Sequence, residues 1–310
     1  MSRGSGVGRY VEVCAGAGGW ALGLRRAGWG GTGIEIDPRA AEAHRANVGP
    51  CITSDVTSQP SPHDADLVCG GVPCQPFSMS GNRGGLKDPR GQLFRSLIRH
   101  AVDASARCVA MENVRGLLSS GAMPVVLREF KRAGFKTDYR IVNSADFGVA
   151  QTRLRLFIVG FRSAEDMARF RWPTPTHSSP KDNTSLPAWR TIAQVLGLPS
   201  GVREVLDRPS LTITTGDGAG HTGGPEIFTS QRFRKELREA LFEVGAINRK
   251  EGNSLTLPTE WVASLQSFPP GFNFVGSNRS KMSQIGNAVA PLVGEAVSTS
   301  LWQALYGGDP

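Results

Sequence analysis

One cysteine lies in a stretch whose composition suits a reactive thiol. Cys74 stands in the segment GGVPCQPFSMSGNRGG between Pro73 and Pro76, and a loop of Gly, Ser and Asn follows it. The prolines restrict the backbone around the thiol, and a positioned thiolate is a strong nucleophile. A buried structural cysteine is the alternative, but the prolines and the polar loop disfavour burial. We therefore predict that Cys74 is a nucleophile.

A carboxylate and two arginines form the second group of candidate residues. Glu112, in MENV, ends an apolar strand, and so we expect it at the same sheet edge as Cys74. A carboxyl group beside a thiol can protonate or hold a ring nitrogen. In QTRLR, Arg153 and Arg155 alternate with leucines, which predicts one common face. An ordinary surface strand is the alternative for this pair.

A glycine-rich turn indicates a cofactor site. The segment AGAGGWA, residues 15–21, lies between a predicted strand and a predicted helix, where glycines let the backbone approach a ligand. Glu35 ends the next strand, where dinucleotide folds bind a ribose hydroxyl. Asp55 follows the third strand and suits the exocyclic amine of a nucleoside, which favours S-adenosylmethionine. A loose G-x-G-x-x-A nicotinamide fingerprint and a simple tight turn are the alternatives.

Composition indicates a globular protein with a polyanionic partner. The chain has 310 residues, a net charge of +8 and a pI near 9.6. Residues 1–162 hold 21 Lys and Arg against 13 Asp and Glu, so this portion carries the excess. Neither a membrane span nor a signal peptide is predicted, which favours a cytoplasmic protein. Five cysteines without a Cys-x-x-Cys pair fit reduced thiols, and we predict no metal site.

The elements that must position these residues alternate between strands and helices. This order predicts an α/β fold with a doubly wound, mostly parallel sheet. We predict a catalytic and cofactor-binding domain over residues 1–162. A smaller domain of mixed pattern follows over 163–252. The C-terminal segment, 253–310, ends in one long apolar helix that is expected to pack back on the first domain.

Together these motifs resemble those of the DNA (cytosine-5) methyltransferases. VCAGAGG is similar to the family's cofactor loop, PCQPFS to its nucleophile motif, and ENV and QTRLR to its acid and arginine motifs. Two late motifs are similar to SLTLPTEWVASLQSFPPGFNF and QIGNAVAP. The resemblance covers residues 9–162 and 253–300 in order and implies the S-adenosylmethionine-dependent methyltransferase fold. It makes residues 163–252 the expected target-recognition domain, with TGDGAGHTGG and SQRFRK as candidate major-groove elements.

The resemblance also implies a reaction. Cys74 would attack C6 of a cytosine flipped out of double-stranded DNA, and C5 would take the methyl group of S-adenosylmethionine, leaving S-adenosylhomocysteine. Glu112 would hold N3 and the exocyclic amine, while Arg155 with Arg153 would orient the base and Cys74. The expected cofactor contacts are Cys14, Gly16, Gly18, Gly19, Glu35, Ile36, Asp55, Pro73, Asn287 and Val289. The expected DNA contacts are Gln75, Ser78, Arg83, Lys87 and Arg90.

Two departures and three alternatives accompany this hypothesis. The family usually has Phe where Cys14 stands, and TEWVASLQ replaces a commoner Arg-rich pattern. An RNA methyltransferase of the same family and an inactive DNA-binding paralogue are the related alternatives. A nicotinamide oxidoreductase would need a hydride-transfer site, which the sequence does not suggest. We expect a monomeric, bacterial or phage-encoded enzyme, with a cognate restriction endonuclease as one candidate partner.

Overall fold

The computed structural model describes residues 8–73, 93–213, 231–247 and 257–308. Seven strands in these residues form one sheet: β1 (Arg9–Val13), β2 (Gly30–Glu35), β3 (Cys51–Thr53), β4 (Leu67–Gly71), β5 (Cys108–Val114), β6 (Lys136–Asn143) and β7 (Leu154–Phe161). The helices of the first half are α1 (Gly19–Arg26), α2 (Pro38–Asn47), α3 (Leu93–Asp103), α4 (Gly116–Ser119) and α5 (Met123–Arg132). Those of the second half are α6 (Ala164–Arg169), α7 (Ile192–Leu196), α8 (Gln231–Glu243), α9 (Thr259–Leu265), α10 (Asn278–Asn287) and α11 (Pro291–Tyr306).

The strand order creates one edge at which the candidate residues meet. The order is β3-β2-β1-β4-β5-β7-β6, and β1 to β5 pair in parallel. Only β7 is reversed, since it is antiparallel to both β5 and β6. The chain winds outward from β1 to β3 and resumes at β4 on the other side of β1. This switch point lies between the carboxyl ends of β1 and β4, where open α/β sheets bind ligands. The predicted fold class is therefore confirmed.

Local sequence explains why several of these elements form. Asp37 accepts a hydrogen bond from the amide of Arg39 and caps α2, whose first residue is Pro38. Apolar residues cover both faces of the sheet, so parallel strands are buried on both sides. One core contains Trp20, Leu24 and Leu301, and the other contains Leu97 and Phe130. A third core joins α7, α8, α9 and α10.

The C-terminal apolar stretch forms two helices, so the prediction of one helix was wrong. Its first helix, α10, ends at Asn287, and α11 begins at Pro291. A proline has no amide hydrogen for the helix ladder, but it suits the first position of a new helix. Helix α11 packs on α1: Trp20 Nε1 donates to Ser298 Oγ at 3.1 Å, and Trp29 Nε1 donates to Ser298 O at 3.1 Å. The turn between the helices lies beside the glycine-rich loop.

Candidate active site

The glycine-rich turn after β1 is shaped by two glycines with different constraints. Gly18 has φ of 94°, a left-handed conformation, and a Cβ there would lie 2.8 Å from Val48. A Cβ on Gly19 would overlap the carbonyl oxygen of Val289. These two positions therefore exclude side chains, which lets the start of α1 approach the turn that precedes α11. The predicted cofactor residues of the two distant motifs lie side by side in the fold.

Glu35 and its neighbours occupy the carboxyl end of β2. Its Oε2 accepts a hydrogen bond from the amide of Gly16 and its Oε1 from the amide of Asp37, both at 2.8 Å. Burial raises the pKa of Glu35, and the amide hydrogen bonds oppose that shift. Ile36 is 66% exposed although it is a large apolar residue. An ordered carboxylate beside an exposed apolar side chain suits a ligand that carries both hydroxyls and a planar ring.

Asp55 lies beyond the end of β3 and is exposed. Its Oδ1 accepts hydrogen bonds from the amide and the hydroxyl of Thr57, both at 2.8 Å, and these bonds lower the pKa of Asp55. Both side-chain bonds within the described residues involve Oδ1, so Oδ2 can accept a bond from a ligand. Cys14 follows β1 with φ of 52°, and burial, with the nearby Glu35, raises the pKa of its thiol to about 12. It therefore remains a neutral thiol.

Glu112 and Arg155 form an ion pair at the same sheet edge. Arg155 Nε lies 3.0 Å from Glu112 Oε1, and the side chains are 16% and 9% exposed. Burial raises the pKa of Glu112, while the charges of Arg155 and Arg153 act in the opposite direction. Glu112 in β5 pairs with Gly71 in β4, and Gly71 lies only three residues before Cys74 in the sequence. The carboxyl group is therefore buried, oriented and close to the segment that leads to the predicted nucleophile.

Arg153 makes different contacts from Arg155. Its side chain is buried, and its Nη1 donates to Ile213 O at 3.0 Å. Its Nη2 donates to Gly286 O at 2.9 Å and to Ala288 O at 3.2 Å. Arg153 precedes the first residue of β7, so strand alternation does not determine where its guanidinium lies. These contacts are with the main chain; a contact of Arg153 with the base stays a prediction.

Asn113 is a site residue that the sequence reasoning missed. It is 1% exposed, and its Nδ2 donates to Val72 O at 3.3 Å. Its Oδ1 accepts a hydrogen bond from the amide of Val114 at 2.9 Å. Asn113 thereby joins the end of β5 to the segment that runs through Pro73 toward Cys74. Its position next to Glu112 in MENV was the available signal.

The remaining predicted residues fall into two groups. Val289 is buried beside Gly19, whereas Asn287 is exposed and its Nδ2 donates to Ser283 Oγ at 3.4 Å. Pro73 is partly buried at the end of a described segment. The remaining predicted site residues lie outside the described residues: Cys74, Gln75, Ser78, Arg83, Lys87 and Arg90. Gly216 and Gly218 of the predicted recognition loop lie outside them as well.

Comparison with known proteins decides the family. The sequence profile described as C-5 cytosine-specific DNA methylase matches residues 8–207 and 216–303. The chain belongs to this family. It is a DNA cytosine-5 methyltransferase, and this assignment replaces the oxidoreductase alternative. Glu35, Glu112 and Arg155, which lie at the sheet edge where the parallel strands have their carboxyl ends, therefore belong to motifs of a methylase.

Relatives of this methylase include bacterial type II methyltransferases. The chain is 32% identical to M.NgoMIV of Neisseria gonorrhoeae, over 95% of this chain and 97% of the relative. It is 29% identical to M1.HphI of Haemophilus parahaemolyticus, over 94% and 86% of the two chains. It is 31% identical to M.NaeI of Lentzea aerocolonigenes, over 95% and 75%. The similarity thus extends through residues 163–252 as well as the motifs.

Solved structures share the methylase fold at lower sequence identity. One is a DNA modification methyltransferase encoded within an E. coli prophage, with a TM-score of 0.65, 17% identity and coverage of 96% of this chain and 99% of that one. Another is the S. pombe Dnmt2 methyltransferase, with a TM-score of 0.65, 19% identity and coverage of 96% and 99%. Across the described ranges, helices are too short or too polar to cross a membrane. Those ranges also contain no cluster of acidic, histidine and cysteine side chains that fits a metal ion.

Proposed function

We propose that this methylase uses S-adenosylmethionine to methylate C5 of a cytosine flipped out of duplex DNA, through a covalent bond between Cys74 and C6. The single observation that supports it most is the buried ion pair of Glu112 and Arg155 beside the segment leading to Cys74. A carboxyl group whose pKa is raised by burial retains a proton to higher pH than an exposed one. It can therefore donate that proton toward N3 of a cytosine.

The residues of the cofactor pocket fit S-adenosylmethionine. At Gly16, which has φ of 55°, no atom of the described residues lies within 4 Å of the position that a Cβ would take, so room remains beside the end of β1. Glu35 has two carboxylate oxygens oriented by amides, and each oxygen retains a lone pair for a ribose hydroxyl. Asp55 Oδ2 suits the adenine amine, and exposed Ile36 suits the face of the ring. When bound, the cofactor would supply an electrophilic methyl group on its sulfonium sulfur.

The proposed roles of the protein side chains follow from their chemistry. The Cys74 thiolate adds to C6, which moves electron density to C5 and N3 of the ring. Glu112 stabilises that density through N3, and Arg155 fixes the carboxyl group in position. Asn113 holds the main chain at Val72, which limits the positions open to the nucleophile. Once C5 carries the methyl group, solvent accepts the C5 proton, and the electrons of that C–H bond restore the C5–C6 double bond and expel the thiolate from C6.

The setting of the reaction is also a proposal. The recognition region, residues 163–252, would select the DNA sequence, while the basic first domain, residues 1–162, holds phosphates. The type II relatives favour a bacterial or phage enzyme in the cytoplasm, alongside a cognate restriction endonuclease. We expect this enzyme to act as a monomer. The division into three regions at residues 162 and 252 belongs to the same proposal.

Bisulfite sequencing of host DNA after expression tests the function and identifies the target. We expect 5-methylcytosine at one recurring sequence, and none in cells that express Cys74→Ala. A duplex of that sequence with 5-fluorocytosine at the target should then form a complex that survives denaturation, because fluorine at C5 cannot leave as a proton does. A trap that persists with Cys74→Ala would show that the nucleophile is misassigned. Methylation of RNA in place of DNA would support the RNA alternative.

A further inference from the structure

Three buried polar side chains lie together between the start of β7, the segment around Ile213 and the turn that precedes α11. Gln151 and Gln266 have no exposed surface, and Arg153 is 3% exposed. Gln151 Nε2 donates to Gln266 Oε1, and Gln266 Nε2 donates to Ala288 O at 2.9 Å. These residues are termed the Gln–Arg–Gln cluster, and Gln266 lies more than a hundred residues along the chain from Gln151 and Arg153. None of the proposed chemical steps uses the two glutamines.

The cluster holds both main-chain groups of one residue in the recognition region. The amide of Ile213 donates to Gln151 Oε1 at 3.1 Å, and the carbonyl of Ile213 accepts from Arg153 Nη1 at 3.0 Å. Ser210 is held nearby, because its amide donates to Ala150 O and its carbonyl accepts from the amide of Thr152, both at 2.9 Å. The segment that leads into residue 214 is therefore fixed to the catalytic sheet through this cluster.

The same cluster holds the turn that precedes α11. Arg153 Nη2 donates to Gly286 O and Ala288 O, and Gln266 donates to Ala288 O as well. This turn carries Asn287 and Val289, the proposed cofactor contacts. The Arg153 guanidinium thus bonds to the segment around Ile213 with Nη1 and to the 286–289 turn with Nη2.

The rigidity of the guanidinium makes the two contacts interdependent. Its donors lie in one plane at fixed angles, so a shift of Ile213 must move or break the bonds to Gly286 and Ala288. An apolar cluster of similar volume would allow sliding between the same elements, whereas buried polar groups lose much free energy when their partners leave. Arg153 is also two residues from Arg155, which orients Glu112.

We propose that Gln151, Arg153 and Gln266 are positioning residues that couple binding of the target DNA to binding of the cofactor. Cognate DNA that shifts the segment around Ile213 would shift the 286–289 turn as well, and a bound cofactor would favour the DNA-bound position of Ile213. Such coupling is reciprocal, and factors of about 5 to 150 in affinity are typical. This inference rests on the proposed use of S-adenosylmethionine and identifies how the same site is regulated.

Calorimetry on the full chain tests the coupling directly. The affinity for S-adenosylhomocysteine is measured alone and with the cognate duplex, and the ratio of the two affinities is the coupling factor. We expect a factor of at least about 5 in the parent protein. The double variant Gln151→Met and Gln266→Met should lower the factor below about 2, while the affinity without DNA changes less than about threefold. Methionine nearly retains the volume of glutamine but lacks its donors and acceptors.

Matched variants separate coupling from general damage. Gln284→Met is the control. Gln284 is a buried glutamine of α10, and its Nε2 donates to Val275 O and Ser280 Oγ. These bonds involve neither Ile213 nor the 286–289 turn. This control should retain the parental coupling factor. Arg153→Lys keeps the charge but lacks the planar set of donors, and it should weaken coupling as the double variant does. If the double variant fails to fold, Arg153→Lys alone decides.

Two outcomes would overturn the inference and one would overturn the proposed function. An unchanged coupling factor in the variants, including an equal loss of affinity with and without DNA, would make the cluster structural only. A parent protein that binds both ligands independently would also exclude the inference. Failure of the parent protein to bind S-adenosylhomocysteine at all would instead contradict the cofactor proposal.

Discussion

Glu112 lies opposite Gly71 in the register of β4 and β5, and a Cβ on Gly71 would stand 3.3 Å from Glu112 Oε2. The carboxyl group therefore lies over a strand position without a side chain. Two residues later the chain reaches Pro73, and the next residue is Cys74. The relation between these two neighbouring strands explains how a buried acid comes close to a predicted nucleophile.

The first prediction concerns the protonation of Glu112. Burial raises its pKa, so the protonated form persists to higher pH than in an exposed carboxyl group. If this form acts on N3, kcat/KM for methylation falls as pH rises through that pKa. Glu112→Gln should lower kcat by roughly 10²- to 10⁴-fold and remove this dependence, because a carboxamide does not titrate. A pH–rate profile with the same limb in Glu112→Gln would contradict the assignment.

The second prediction separates the two oxygens of Asp55. Asp55→Asn keeps Oδ1 for the turn with Thr57 but places an amide donor at the other position, facing the proposed adenine amine. Affinity for S-adenosylhomocysteine should fall roughly 10- to 150-fold, since a hydrogen bond to a charged group contributes about 1.5–3 kcal/mol. An analogue without the amine should bind parent and variant alike. Equal losses for both ligands would mean that the variant disturbs the turn.

The third prediction concerns acid stability and His44. Its Nδ1 donates to Gly49 O at 3.2 Å, its ring packs against Gly18 of the cofactor loop, and burial lowers its pKa from 6.5 to about 4. Above pH 6.5 neither folded nor unfolded chain holds the proton. Between 6.5 and 4 only the unfolded chain binds it, so folding stability is lost over that window, by up to roughly 3 kcal/mol.

Denaturant unfolding of the parent and of His44→Gln between pH 7 and 4 measures this contribution. The difference between the two free energies of unfolding should shrink as pH falls, because glutamine retains a donor but does not titrate. His100 is also buried, and burial lowers its pKa too. The change in the free energy of unfolding of the parent with pH therefore contains both contributions, and only the comparison with His44→Gln isolates that of His44. A difference that is constant with pH would rule out His44 as a source of acid sensitivity.

The fourth prediction concerns three cations after Cys74. If Arg83, Lys87 and Arg90 contact phosphates, replacing all three with Gln should flatten the plot of log K against log salt by up to about 2.7. Discrimination between cognate and other DNA should change little, because phosphates carry no sequence information.

A control with the same loss of charge is available at the opposite edge of the sheet. Arg128, Lys131 and Lys136 lie in α5 and at the start of β6, away from the carboxyl ends of the strands. Their replacement by Gln should leave most of the salt dependence intact. Equal flattening by the two triple variants would show that only net charge matters.

Local signals were sufficient for much of the fold and for part of the candidate site. The glycine turn and the acid at Glu35 follow directly from strand–turn–helix patterns, because the relevant contacts join neighbouring elements. Glu112 could be assigned to the sheet edge, since it lies near the end of an apolar strand. The reversed direction of β7 could not be inferred, because periodicity reports which residues are buried but not how strands pair.

Long-range contacts set the limit of this reasoning. Arg153 bonds to carbonyls 60, 133 and 135 residues away, and no spacing in QTRLR indicates those partners. The break between α10 and α11 was overlooked because the apolar pattern continues through it, although Pro291 marked the start of a new helix. Gln151 was likewise unremarkable until its partner Gln266 was placed beside it.

The contact of α11 with α1 has a consequence for synthesis of the protein. Trp20, near the start of the chain, rests on Ser298, and Gly19 rests on Val289. A chain still emerging from the ribosome can form its first strands but cannot complete this pocket until residues near 300 have left the exit tunnel. A product that stops before residue 289 should therefore be inactive, because it lacks the residues that complete this pocket.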